Sequence, residues 1–176
     1  NGVRIYDNRV EEVGWDGLQV GSATAACIIR DNEIDGDSRE AQPDQQSGIM
    51  NNPGSVCDIY NNLIKDGGGP GIYIQGNGGN RIYNNIILNP GQNGGGRGHG
   101  ITVATGSNRS NSIYVWNNII VDPRDAGIVY RNDQGSDNRI QNNIIIAPGS
   151  YATDGDGAYI NTGDLTNVLV SDNLFH

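Results

Sequence analysis

Seven copies of one six-residue pattern run through this chain, too many to be chance. The pattern reads apolar, any residue, Asp or Asn, Asn, any residue, apolar. It appears as Ile5-Tyr6-Asp7-Asn8-Arg9-Val10 and again from Ile29, Ile59, Ile82, Val115, Ile140 and Val170. The second Asn falls at Asn8, Asn32, Asn62, Asn85, Asn118, Asn143 and Asn173, at spacings of 24, 30, 23, 33, 25 and 30 residues. Such a period belongs to a solenoid, in which each repeat buries its apolar face only against its neighbours.

Between the copies lies a second element, a glycine followed by alternating apolar residues: Gly17-Leu18-Gln19-Val20, Gly48-Ile49-Met50-Asn51, Gly71-Ile72-Tyr73-Ile74, Gly100-Ile101-Thr102-Val103, Gly127-Ile128-Val129-Tyr130 and Gly157-Ala158-Tyr159-Ile160. Each coil therefore carries at least two short strands. Period-two alternation points the first residue of each Asn pattern to one side, where like residues stack about 4.8 Å apart. A helix is excluded, because apolar residues do not recur at three and four and Gly and Asn interrupt every few positions. The reading is an all-β parallel solenoid of about six to seven coils. The repeated Asn sits in a tight turn where its amide can bond the backbone and the Asn of the next coil, forming an asparagine ladder.

The 176 residues show no composition shift, so a single domain over 1–176 is expected. With no capping element at either end of the pattern, that domain is expected to be a segment of a longer protein, the remainder of which would be its immediate partner. A net charge of -9 with one lysine, Lys65, argues against nucleic acid and against an anionic membrane surface. No apolar run is long enough to insert in a bilayer.

These patterns resemble the right-handed parallel β-helix repeat of pectate lyases, polygalacturonases and alginate lyases over essentially the whole chain. The resemblance implies that the Gly-apolar strands floor a substrate groove and that the loops entering them wall it. It also implies an extracellular or cell-surface protein, of bacterial type, that binds a polysaccharide and cleaves it as a lyase or glycoside hydrolase. Oligomeric state is left open. From ladder Asn to strand Gly the intervals alternate, 9, 16, 9, 15, 9 and 14, so every second coil carries a longer loop.

Candidate chemistry gathers before the last three strand glycines, in Arg97-Gly98-His99-Gly100, Arg124-Asp125-Ala126-Gly127 and Asp154-Gly155-Asp156-Gly157. His99, Arg124, Asp125 and Asp156 are the catalytic candidates. For β-elimination on a uronate, Arg97 or Arg124 would neutralise the carboxylate, and His99, Tyr73 or Tyr159 would take the proton. For hydrolysis, Asp125 would pair with Asp154 or Asp156. Gly98-His99-Gly100 resembles the Gly-His-Gly motif of polygalacturonases, and Asp16-Gly17 the end of another of their motifs. Ser47-Gly48 lacks the paired aspartates between them, so that activity is not assigned. The alternative is that all these are solvated turn residues.

On the outward face of the Asn-bearing strands, Tyr6, Arg30, Tyr60, Tyr83, Trp116, Gln141 and Ser171 form a stripe. Trp116 and Tyr83 are candidate platforms for sugar rings, or else simply stack on one another. No cofactor is required, although Asp35, Asp37 and Glu40 offer oxygen ligands for calcium. Cys27 and Cys57 each precede a ladder Asn by five residues and should stack; buried free thiols are favoured over a disulfide. The rival function is a noncatalytic solenoid, an adhesin or spacer, against which the alternating long loops argue.

Overall fold

A computed structural model gives the architecture; it describes residues 2–23, 25, 27–40, 46–93, 98–104, 111–149, 157–163 and 165–176. Among these, every regular element is a short strand, and all strand pairs are parallel. Three sheets run the length of the solenoid. Sheet A holds Arg4–Tyr6, Cys27–Arg30, Cys57–Tyr60, Arg81–Tyr83, Tyr114–Trp116, Asn138–Gln141 and Val168–Ser171. Sheet B holds Arg9–Glu11, Glu33–Asp35, Leu63–Lys65, Ile86–Leu88, Ile119–Val121, Ile144–Ile146 and Leu174–Phe175. Sheet C holds Leu18–Val20, Ile49–Asn51, Ile72–Ile74, Ile101–Val103, Ile128–Tyr130 and Ile160–Asn161. In sheets A and B, five of the seven strands have a neighbour on both sides. The number of fully sandwiched turns, about five, is thus slightly below the six to seven coils expected.

Backbone conformation explains why the chain turns where it does. The residue before each ladder Asn is left-handed, with φ of 55 to 56° at Asp7, Asp31, Asn61, Asn84, Asn117, Asn142 and Asp172. Asp and Asn tolerate this region better than other non-glycine residues, which is why the third position of the repeat is restricted to them. A second left-handed residue follows each of the first six sheet B strands: Glu12, Gly36, Asp66, Asn89, Asp122 and Ala147. Each coil is bent twice by the same local device.

The ladder is continuous. From Asn8 to Asn173, each Asn donates its side-chain amide to the carbonyl oxygen of the next at 2.9 to 3.0 Å, and its backbone N–H bonds the same oxygen at 2.9 to 3.1 Å. Buried polar groups at the A to B corner are therefore paired within the protein.

Inside the coil, columns of isoleucine fill the section. Ile29, Ile59 and Ile82 from sheet A meet Ile34, Ile64, Ile87, Ile120 and Ile145 from sheet B and Ile49, Ile72 and Ile101 from sheet C, all at most 1% exposed. A fully buried side chain of this size contributes about 2 to 3 kcal/mol by transfer from water. The glycine column before sheet C follows from this packing. A Cβ on Gly100 would lie 2.5 Å from Ile120 Cγ2 and 2.6 Å from the Gly127 carbonyl oxygen, leaving no room for a side chain.

The sixth coil departs from the expected register. Ile128 pairs with Ile160, and the Gly127 N–H bonds the Ala158 carbonyl as the Gly100 N–H bonds that of Ala126. Tyr159, not Gly157, therefore occupies the glycine position. The next sheet B residue is Phe175 instead of isoleucine, and the Tyr159 and Phe175 rings meet with centroids 4.9 Å apart. An aromatic pair replaces the glycine and isoleucine of the other coils. With this register the interval in the last long-loop coil is 16 residues, from Asn143 to Tyr159, in line with the 16 and 15 of the other two.

Cys27 and Cys57 face each other across adjacent sheet A strands and form a disulfide, with Cα atoms 4.4 Å apart. The expectation of free thiols is corrected. In-register stacking of the two strands brings the sulfur atoms together.

At the B to C corner, the first residues of each long loop lie across the short turn of the coil before it. Ser38, Arg39 and Glu40 donate backbone N–H groups to Trp15, Val13 and Gly14. Gly91 and Gln92 do the same to Gly67, and Gly149 to Pro123.

Candidate functional site

Three places bear on function. The first is the corner where catalytic chemistry was anticipated. His99, Arg124 and Asp125 do come together, on adjacent coils. The Gly98 N–H donates to Asp125 Oδ2 at 2.6 Å, the Asp125 N–H to the Gly98 carbonyl at 3.1 Å, and the Ala126 N–H to His99 Nδ1 at 3.2 Å. Accepting at Nδ1 places the proton of a neutral imidazole on Nε2. Arg124 packs its Cβ against Gly91 and Gly98, and its Nη1 is buried. The imidazole is only 3% exposed. This cluster clasps two coils together. Arg97, Asp154 and Asp156 lie outside the described residues, and the register puts Ala158 in the column position expected for Asp156.

The outward column of sheet C, read as the floor of an open groove, is Gln19, Met50, Tyr73, Thr102, Val129 and Asn161. Gln19 is exposed and Tyr73 half-buried, but Met50, Thr102 and Val129 are at most 7% exposed. The floor is closed at Met50, Thr102 and Val129 and half-open at Tyr73 between them. Tyr159 belongs to the core side of its coil and does not face this groove.

The second place is a buried acidic corner. Asp16 Oδ1 accepts the Ser47 N–H at 2.9 Å, while its Oδ2 is buried with no partner. Burial pushes this carboxyl up to about 6, against the opposing effect of the Ser47 bond. Asp37 Oδ2 accepts the Ser38 hydroxyl at 2.8 Å, and its Oδ1, against Gly67, has no partner. Burial pushes Asp37 up to about 7; Ser38 opposes the shift, and the nearby Asp16 charge adds to it. The calcium set expected here does not assemble. Asp35 pairs with Lys65 Nζ at 3.1 Å, Asp37 is turned into the corner, and Glu40 lies over Gly14. No group of three or more metal-ligating side chains occurs among the described residues.

The third place is the outward face of sheet A. The stripe is a stack: Tyr60 and Tyr83 have centroids 4.8 Å apart at 7°, Tyr83 and Trp116 4.5 Å apart at 9°. Nearer the N-terminus, Arg30 lies over the Tyr6 ring at 4.6 Å. Tyr83 is covered on both ring faces by its neighbours, Tyr60 and Trp116. Trp116 ends the aromatic run, because the next rung carries Gln141. Beside it opens a pocket of about 390 Å³, lined by Tyr114, Trp116, Asp137, Arg139 and Gln141.

Its polar wall is organised. Arg139 grips Asp137 through Nε at 2.8 Å and Nη2 at 3.1 Å, and the Tyr114 hydroxyl donates to the same carboxylate at 3.2 Å. These donors, Arg139 foremost, hold the Asp137 carboxyl below the usual range. The Tyr114 ring meets Trp116 edge-on, 6.3 Å away at 74°. Gln141 donates from Nε2 to Ser171 Oγ at 2.8 Å, which fixes its amide. Tyr114, Asp137 and Arg139 were not anticipated as site residues. The signal was present in the outward column two residues before the stripe, namely Asp58, Arg81, Tyr114 and Arg139.

The right handed beta helix region family model matches residues 1–176, and the chain belongs to that family. No curated protein and no solved structure matches the chain. Among the described residues, no helix is long and apolar enough to cross a membrane.

Proposed function

We propose that the protein is an extracellular polysaccharide-binding β-helix whose binding face is the outward side of sheet A. One observation carries the reading: Trp116, rigidly backed by Tyr83, borders an open pocket with a polar wall of Asp137, Arg139 and Gln141. A flat indole beside fixed hydrogen-bonding groups is the combination that holds a sugar, its C–H face on the ring and its hydroxyls on the polar wall. The Cys27–Cys57 disulfide supports an oxidising, extracellular setting.

Cleavage of the bound polymer, by elimination or hydrolysis, is the second reading, favoured by the convergence of His99, Arg124 and Asp125 at one corner. It ranks below binding because His99 is buried and the sheet C floor beside it is closed at Thr102 and Val129.

Affinity electrophoresis through gels containing neutral or acidic polysaccharides tests binding. Retardation by at least one polymer, lost in Trp116→Ala, is expected. Equal mobility in every gel overturns the reading. The same incubations assayed for new reducing ends and unsaturated products decide between simple binding and cleavage.

A further inference from the structure

We infer that the ligand of the Trp116 pocket is a neutral hexose polymer and not a uronic-acid polymer, an inference that rests on reading sheet A as the binding face. Charge accounting along that face leads to it. The guanidinium groups of the central rungs are each neutralised: Arg30 pairs with Asp31, Arg81 grips Asp58 through Nε and Nη2 at 2.5 Å, and Arg139 grips Asp137. The pocket wall is thus a closed ion pair carrying no net charge, on a chain whose formal charge is -9.

A uronate carboxylate needs a guanidinium fork of its own. The Nη1–Nη2 edge of Arg139 offers such a fork, but its charge is already neutralised by Asp137, so a uronate would add a second negative charge beside that carboxylate and approach an acidic protein against its field. Hydroxyl groups bring no such charge. Arginine carries five N–H donors and Asp137 engages two of them, so the remaining donors can bond sugar oxygens while the pair stays intact. The carboxylate can in turn accept a sugar hydroxyl, and Trp116 supplies the apolar platform for the ring.

The experiment is calorimetric titration of the whole protein with a β-glucan, a mannan, polygalacturonate and alginate, at low and high salt. The variants are Trp116→Ala, Arg139→Gln and Asp137→Asn, each checked by circular dichroism. Arg139→Gln leaves the aromatic stack untouched and so keeps the test meaningful if Trp116→Ala misfolds. The expected result is binding of a neutral polymer with little salt dependence, weakened about 10-fold or more by Trp116→Ala, as the loss of one stacking platform requires. Asp137→Asn and Arg139→Gln each weaken it as well. Salt-sensitive binding of polygalacturonate or alginate, lost in Arg139→Gln and strengthened in Asp137→Asn, overturns the neutral-polymer inference but keeps sheet A as the binding face. Binding of no polymer, or binding that none of the variants alters, overturns the reading of sheet A itself.

Discussion

The ring of Tyr159 packs against that of Phe175 with centroids 4.9 Å apart, at the level where the five preceding coils set a glycine against an isoleucine. The two residues exchange volume: a side chain is admitted at the glycine position when the isoleucine of the next sheet B strand gives way to an aromatic ring. A double-mutant cycle measures this. Tyr159→Gly alone is expected to destabilise by about 2 kcal/mol, because Phe175 is partly exposed and the site collapses in part. Adding Phe175→Ile recreates the pair of the other coils and should recover about 1 kcal/mol. Strict additivity in urea unfolding would show that the rings are not coupled.

The asparagine ladder should show position-dependent costs. Asn85 accepts from the Asn62 N–H and side-chain amide and donates to the Ile59 carbonyl and to Asn118. Asn85→Ala leaves the Asn62 N–H buried without its acceptor and strips one bond each from the Asn62 amide, the Ile59 carbonyl and Asn118, so a loss of roughly 4 kcal/mol or outright unfolding is expected. Asn8 is exposed at the ladder's first rung, and Asn8→Ala should cost about 1 kcal/mol. Equal losses at the two positions in chemical denaturation would show that the ladder's energy does not lie in its buried bonds.

Ala147 is the one left-handed corner residue among its equivalents that is neither glycine nor a longer polar side chain, with φ of 48° in an exposed turn. Ala147→Asn, which copies Asn89 at the same corner, should stabilise by about 0.5 to 1 kcal/mol. An unchanged or lowered melting temperature counts against strain at this corner.

Asp37 and Asp16 make stability depend on pH in the direction opposite to ordinary acid denaturation. Both folded carboxyls titrate above the unfolded value of 3.8, at about 7 and about 6. Between these limits the native state holds more protons than the unfolded chain, so stability falls as pH rises from about 4 to about 7 and is level above. Asp37→Asn should raise the melting temperature at pH 8 and flatten this decline. An identical profile in the variant would mean that Asp37 is ionised without penalty.

The repeat and its columns were legible because each is a direct steric requirement: Asn at the ladder, Asp or Asn at the left-handed corner, isoleucine inward. Sheet B was not read as a sheet of its own, because its three-residue strands lie between two left-handed corners rich in Asp and Asn. Yet Ile34, Ile64, Ile87, Ile120 and Ile145 each stand two residues after a ladder Asn. The sixth-coil register was misread because Gly157-Ala158 imitates the repeat, and only the distant Phe175 shows that Tyr159 belongs there. The disulfide was hidden by the poverty of the signal, since two cysteines at one rung position fit thiols as well as a bond. The pocket was half visible: Trp116 stood out as an aromatic, whereas Arg139 and Asp137 gain meaning only when the strand register sets them beside it.

The lie of each long loop's first residues across the preceding short turn also bears on how such a chain changes length. A loop that lies across its neighbour's turn needs that turn to be short, so two consecutive coils with long loops would compete for the same space. The unit that can be duplicated or lost without disturbing this corner is therefore a pair of coils, one bare and one looped. Residues 9–62, from just after Asn8 to Asn62, form one such cassette, and insertion of a second copy should lengthen the rod by two rungs while every junction at this corner still sets a bare coil against a looped one.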